Sequence, residues 1–340
     1  MTSIQFPAEW HSQSAIQLTW PHKETDWVDM LDEITEFYVS LSKEILKQTR
    51  LLIVCCEIEE IKKHFTPSEQ ANLTLVEIKS NDTWARDHSA ISVFIDGKPA
   101  VLDFGFNAWG LKFAANHDNQ ITSNLIANNV FAKEVSYHNH LNFILEGGAL
   151  ESDGEGTLLT TSKCLLAPNR NQPLTKNDIE EFLKKTLGLK QILWLNSGYL
   201  AGDDTDNHID TLARFCNNST IAYVQCTDKS DEHHSALKKM EEELAAFRKF
   251  NGDPYNLIAL PMAEPVYEDQ YRLPATYANF LIMDSVVMMP TYGSGRDSIA
   301  KEQLQKAFPD KEIIGIDCRL LIKQHGSLHC ITMQYPRRFL

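Results

Sequence analysis

From Gly202 to Asp210 the chain reads Gly-Asp-Asp-Thr-Asp-Asn-His-Ile-Asp, placing four carboxylates and one imidazole within nine residues. Apolar runs flank this stretch, Ile192-Leu193-Trp194-Leu195 before it and Ile221-Ala222-Tyr223-Val224 after it. So much like charge is costly unless something cationic sits among it. The run from His208 to Ala213 reads as the opening of a strand. Side chains alternate along a strand, so His208 and Asp210 would share a face and present a base beside a carboxylate. Taken alone, the stretch has two competing readings, a solvated acidic loop and a metal-holding loop.

The elements that must position these groups repeat along the chain. Each copy has a strand, a polar loop, a strand, a tight turn and another strand. The turns are Asp96-Gly97, Asp153-Gly154, Asn217-Asn218 and Asp284-Ser285, spaced by 57, 64 and 67 residues. Asp-Gly and Asn-rich pairs between apolar runs are hairpin signals. Helical spacing falls at 29–48 and between the turns, at 119–129, 176–187, 232–250 and 299–308. The fourth copy runs from Tyr277 to Ile282 and from Val286 to Met289. A fifth copy is incomplete, with strands predicted at 313–316 and 328–333, and the N-terminal run 14–20 is the candidate partner. A strand-rich unit plus a helix at near-constant spacing predicts an α/β fold built as a radial array, a five-fold α/β-propeller. Pairing of the two termini would close the ring and remove exposed strand edges. No Pro-, Gly- or Ser-rich linker interrupts residues 1–340, which read as a single domain.

Radial repetition would bring one reactive residue per copy toward a common centre. These are Asp87, Glu146, His208 with Asp210, and Cys330. A thiol with a histidine elsewhere in the sequence is a nucleophile and acid/base pair. In a hydrolase acting on a neutral amide, the carboxylates would raise the thiol pKa and weaken the nucleophile. They make sense if the substrate carries its own positive charge. A guanidinium is planar and offers paired N–H donors that carboxylates accept bidentately. A divalent ion on His208, Asp210, Glu146 and Cys330 is the competing chemistry, though the tight ligand spacings usual for such sites are absent. Cys164, Cys216, Cys226 and Cys318 have no placed partner and read as core or surface thiols. His329 would point to the strand face opposite Cys330 and reads as structural. Trp84 could serve as core packing.

The net charge of −14 argues against a nucleic-acid backbone as partner and suits a small cation. Apolar residues make up 43% and charged residues 23%, as in soluble globular proteins. The first residues do not read as a signal peptide, and no apolar run approaches the roughly 18–20 residues that cross a bilayer. Seven cysteines without a Cys-x-x-Cys pair point to a reducing compartment, hence a cytoplasmic expectation.

The sequence resembles the agmatine deiminase family, guanidine-modifying enzymes of the pentein (α/β-propeller) fold, related to bacterial peptidyl-arginine deiminases. The resemblance lies in Asn81-Asp82-Thr83-Trp84-Ala85-Arg86-Asp87, Phe106-Asn107-Ala108-Trp109-Gly110, Glu146-Gly147-Gly148-Ala149 and Gly156-Thr157-Leu158-Leu159-Thr160-Thr161. It continues with Asp203 to Asp210, Tyr277-Ala278-Asn279-Phe280-Leu281-Ile282 and Ser327-Leu328-His329-Cys330-Ile331-Thr332. What it implies is a Cys330 nucleophile, His208 as acid then base, Asp87 and Asp210 gripping the guanidinium, and Glu146 beside His208. It further implies Trp84 in the substrate tunnel, Asp204 in substrate binding, no cofactor, and a homodimer by analogy. The implied reaction is hydrolysis of agmatine to N-carbamoylputrescine in polyamine synthesis. Citrullination of protein arginine and a non-catalytic polyamine binder are the alternatives. Ser89-Ala90, Asn207 and Gly326-Ser327 depart from the family pattern and touch loop shape rather than reacting groups.

Overall fold

Short apolar runs bounded by turn-forming pairs make hairpins, and each predicted turn joins one. In the computed structural model, which describes residues 2–340, Ile91–Ile95 and Lys98–Gly105 pair antiparallel. Their turn residues Asp96 (φ 49°) and Gly97 (φ 73°) adopt the left-handed backbone of a two-residue hairpin loop. The same plan recurs in Glu151–Ser152 with Thr157–Thr161, Ala213–Asn217 with Thr220–Gln225, and Leu281–Ile282 with Val286–Thr291. Each hairpin then gains a parallel third strand: Ser136–Ile144, Gln191–Leu195, Asn256–Pro261 and Glu312–Asp317 respectively. A parallel addition needs a crossover. The helices Ile121–Ala127, Lys176–Leu187, His234–Ala246 and Arg296–Ala307 lie in these crossovers.

Lys176–Leu187 shows why such a segment is helical. Thr175 and Asp178 form a reciprocal capping box at its start, and Gly188 (φ 70°) ends it in left-handed backbone. Ile179, Leu183 and Leu187, spaced by four, are buried against the sheet. Burial stabilises each of them by roughly 1.5–3 kcal/mol.

The fifth sheet unites the chain ends. Met333–Pro336 pairs antiparallel with Gln13–Thr19, which runs parallel to Arg50–Cys55 and through it to Leu73–Glu77. The expected pairing of the termini is therefore present. The strand predicted at 313–316 does not belong to this sheet; it is the third strand of the one before it. Among the described residues no sheet closes on itself, so strand edges remain and the terminal pairing completes one open sheet. No helix of the described residues is long and apolar enough to cross a membrane.

Two predicted strands are local turns instead. Ile209–Thr211 is one turn of 3-10 helix, and the strand begins only at Ala213. Thr205 Oγ1 accepts from the His208 amide at 3.1 Å, and Thr211 Oγ1 donates to the His208 carbonyl at 2.9 Å. Such side-chain bonds compete with a sheet ladder for the backbone. The run 328–332 is likewise a turn, with Thr332 donating from both its amide and its hydroxyl to the His329 carbonyl at 3.0 Å. The fourth hairpin's first strand shrinks from 277–282 to Leu281–Ile282.

Candidate active site

Turns, rather than strands, carry most of the reactive side chains. Asp87 lies on the one-turn helix Ala85–His88, Glu146 immediately precedes a 3-10 turn, His208 immediately precedes another with Asp210 within it, and Cys330 sits in the turn before the last strand. All five are buried: Asp87 3%, Glu146 0%, His208 1%, Asp210 0% and Cys330 6% exposed. The backbone of Gly148 is where they meet. A Cβ there would come within 2.5 Å of His208 Nδ1, 2.8 Å of Asp87 Oδ1 and 3.2 Å of Asp210 Oδ2. Only glycine leaves that centre open.

The His208 ring lies between two carboxylates. Its Nδ1 is 3.6 Å from Asp87 Oδ1, and its Nε2 is 3.4 Å from Glu146 Oε2. Burial by itself would lower the imidazole pKa, but Asp87 and the other acidic neighbours override it and hold the pKa well above the ordinary value. Glu146 is fixed from the far side by Arg170, whose Nε donates to both carboxylate oxygens at 2.9 and 3.1 Å. Burial would raise the Glu146 pKa; the His208 hydrogen bond and Arg170 more than offset this and lower it. Asp87 accepts from the Gly148 amide at 2.9 Å and from the Trp109 indole at 3.0 Å. Burial nevertheless pushes its pKa up to about 6.

Cys330 Sγ stands 4.0 Å from Asp210 Oδ2 and 3.4 Å from Asn279 Oδ1. Burial, then the charges of Asp210 and Asp87, drive the thiol pKa well above its ordinary value. The thiol is therefore the resting form at neutral pH. Asp210 Oδ1 and His208 Nδ1 make no hydrogen bond to any described residue, although both are buried.

Trp84 packs against Gly326, where a Cβ would fall 2.1 Å from its ring, and its indole donates to Asp82 Oδ2 at 3.1 Å. It also contacts Trp27, with ring centroids 6.0 Å apart. Trp84 is thus core packing, in the same cluster of buried side chains as Cys330. Asp204 is half-buried. Burial raises its pKa, with His325 opposing. Asp203 closes its own loop, accepting from Thr205 Oγ1 at 2.6 Å and from the Asn207 amide at 2.7 Å. Asn207 (φ 63°) adopts the left-handed backbone that asparagine tolerates.

Several participants escaped the sequence reading. His329 does not point away from the centre, because its segment is a turn; its Nδ1 lies 2.7 Å from Asp210 Oδ2. Cys164 is not without a partner, since its Sγ lies 3.5 Å from Glu146 Oε2. Asn279 accepts from the His329 amide at 2.8 Å and binds the Asp210 carbonyl at 3.3 Å, tying the two turns together. Arg170 also reaches Asp206 at 2.6 Å, and Lys112 reaches Asp206 at 3.0 Å. The requirement for a cation amid the acidic run was the signal that could have pointed to Arg170.

A metal reading of this centre fits poorly. The donors that lie within 4.8 Å of one another are Glu146, Cys164 and His208, without Asp210 or Cys330. The Arg170 guanidinium already engages both Glu146 oxygens, so a cation would have to displace a buried ion pair.

Fold and site together define a mixed α/β protein with a thiol, an imidazole and carboxylates around one point, a set suited to nucleophilic catalysis. Residues 5–336 match the model of the Porphyromonas-type peptidyl-arginine deiminases, and the chain belongs to this family. It is 34% identical to a Marinomonas sp. (strain MWYL1) protein that carries the provisional name agmatine deiminase, over 99% of this chain and 96% of that one. A Porphyromonas gingivalis structure provisionally named an arginine deiminase superposes with a TM-score of 0.96 at 54% identity, covering 99% of this chain and 100% of that one. A C. jejuni agmatine deiminase variant with substrate bound superposes at 0.91 and 39% identity, over 98% and 96% of the two chains.

Proposed function

We propose that the protein is an agmatine deiminase, a C–N hydrolase of a linear amidine, built as one catalytic domain over residues 1–340 with five of its sheets around a common axis. The observation that carries this reading is the buried Asp210 carboxylate, with Oδ1 unpaired, converging with Asp87 and His208 at Gly148 and standing 4.0 Å from Cys330 Sγ. Two carboxylates facing an open centre suit a planar cation with paired N–H donors. The full-length likeness to proteins named agmatine deiminases supports the same substrate.

In the proposed reaction Asp87 and Asp210 grip the guanidinium nitrogens and set the carbon before Cys330. The bound cation lowers the thiol pKa, the thiol proton passes to solvent, and the thiolate adds to the guanidinium carbon, forming a C–S bond as a C–N π bond opens onto nitrogen. His208, as imidazolium, protonates one nitrogen of the tetrahedral centre, and ammonia leaves as the C–N bond breaks. An amidino-cysteine remains. Water, deprotonated by His208, adds to its carbon; C–S cleavage returns the thiolate and releases N-carbamoylputrescine. Glu146, anchored by Arg170, holds the imidazole. Trp84 lines the tunnel and Asp204 takes the substrate's free amine. No cofactor takes part. A cytoplasmic role in polyamine synthesis and a homodimer belong to the same reading.

Peptidyl-arginine is the second substrate reading, supported by the family to which the chain belongs. Ammonia release from agmatine, free arginine and an internal-arginine peptide, measured in parallel with Cys330→Ala as control, separates the readings. Turnover of agmatine alone, lost in the variant, bears out the proposal. Turnover of the peptide alone transfers the protein to protein citrullination. Tight agmatine binding without turnover makes it a binder.

A further inference from the structure

His329 stands against the Asp210 carboxylate, and behind His329 stands Glu9, from the N-terminal segment. His329 Nδ1 lies 2.7 Å from Asp210 Oδ2, and His329 Nε2 lies 2.7 Å from Glu9 Oε2. Each ring nitrogen therefore has a buried carboxylate oxygen within hydrogen-bond distance. The three residues are at most 8% exposed. Glu9 is itself pinned: Arg214 Nη2 donates to Oε2 at 2.6 Å and the Ile282 amide to Oε1 at 2.6 Å.

We propose that Glu9 and His329 are positioning residues that orient the Asp210 carboxylate and keep it charged, making the N-terminal segment part of the guanidine-binding equipment. With Oδ2 engaged by His329, the unpaired Oδ1 is left to accept a substrate N–H. Asn279 Nδ2 donates to the Asp210 backbone carbonyl, which fixes the turn that carries this side chain. Burial would raise the pKa of Asp210 and of Glu9, yet both are lowered, Asp210 chiefly by His329 and Glu9 by Arg214 and then His329. The chain from Arg214 through Glu9 and His329 ends on a carboxylate whose second oxygen, Oδ1, is buried without a partner. Glu151 already balances Arg214 without Glu9.

This inference rests on the deiminase reading, so its test has one arm that does not require turnover. In proton NMR of the whole protein, His329 should give two downfield ring N–H resonances, assigned by their loss in His329→Asn. One of the two should shift or vanish in Glu9→Gln. A single such resonance in the wild type overturns the inference. In steady-state kinetics, Glu9→Gln and His329→Asn should raise KM for the guanidine substrate about tenfold or more, the size of a lost bond to a charged group. The acidic limb of kcat/KM should move to higher pH, because Asp210 loses the cation that lowers its pKa. The other charged or titratable groups facing Asp210 are His208, Arg214, Arg86, Asp87 and Cys330, all unchanged in these variants. Glu9→Gln and His329→Asn that fold and keep the wild-type KM and pH profile would reduce the pair to a structural role. A wild type inactive on every guanidine refutes the deiminase reading instead, and the NMR arm still decides the hydrogen bonds.

Discussion

Glu146 Oε2 lies 3.4 Å from His208 Nε2, while the opposite edge of the same ring faces Asp87 Oδ1 at 3.6 Å. Neither contact is short, but both are fully buried, and together they keep the imidazole protonated against the cost of burial. In the proposed reaction protonated His208 is the acid for ammonia release, so the basic limb of kcat would report its loss of a proton. Glu146→Gln removes one of the two anions and lowers the His208 pKa. The basic limb should therefore move to lower pH, readable as ammonia release from pH 6 to 10 (roughly the range around an unperturbed histidine and above it). A limb that stays in place would assign it to another group.

The same shift has a stability consequence with a definite sign. The folded-state pKa of His208 is raised, so its contribution is complete below the unfolded value of about 6.5 and fades as pH rises through the raised value. His208→Asn should thus cost more stability at pH 6 than at pH 10, as measured by urea midpoints at the two pH values. An equal cost at both would mean that the ring is held without charge.

Gly148 is the only residue type that leaves the centre open. A Cβ would lie 2.5 Å from His208 Nδ1 and 2.8 Å from Asp87 Oδ1, inside any normal contact. Gly148→Ala should cost about 100-fold in kcat/KM, the penalty for displacing reacting groups by about an ångström. Overpacking should cost only about 1–3 kcal/mol of stability. Calorimetric melting alongside kinetics tests both; full activity would show that the side chains can rearrange around the methyl.

Much of this was readable from residue type and spacing, for reasons that also explain what was not. The four hairpin turns were legible because Asp-Gly and Asn-rich pairs leave few backbone choices. The terminal pairing followed from an unmatched strand at each end. Asp87, Glu146, His208, Asp210 and Cys330 could be named because each stands in a short segment of unusual composition. The strands predicted through His208 and Cys330 failed where Thr205, Thr211 and Thr332 bond the local backbone and win it from the sheet. Glu9, Trp109, Arg170 and Asn279 are ordinary residue types whose roles arise only from contacts across long stretches of chain. Arg170 is the instructive case: the acidic run demanded a cation, and the sequence reading supplied it with substrate alone, whereas the protein supplies one of its own.

Trp109 reaches the centre through an exceptional backbone. Ala108, Trp109, Gly110 and Leu111 all have positive φ, between 50° and 86°, forming a left-handed turn that costs about 1–2 kcal/mol for each non-glycine residue. What the turn achieves is the indole N–H donated to Asp87 Oδ2 at 3.0 Å. Trp109→Phe keeps the ring and deletes the donor. A bond to a carboxylate is worth about 1.5–3 kcal/mol, so guanidine turnover should fall about 10- to 100-fold with the melting temperature little changed. Unaltered kinetics would assign the turn to packing alone.

Arg170 supports the site from outside the reacting groups. Its side chain is 1% exposed and that of Glu146 is 0%, so solvent does not screen the pair. Removing one partner of a buried ion pair leaves the other charged without compensation, at a cost of about 3–5 kcal/mol. Arg170→Met retains much of the stem and deletes the charge. It should lower the unfolding free energy from urea titration by that amount and push the Glu146 pKa upward, because burial is then opposed by His208 alone. A protonated Glu146 would no longer hold the imidazolium, so the basic limb of kcat should shift to lower pH as in Glu146→Gln. The double variant Arg170→Met with Glu146→Gln removes both charges and should recover part of the lost stability but none of the activity. Recovery of neither would mean that Arg170 matters through Asp206, which it contacts at 2.6 Å, rather than through Glu146.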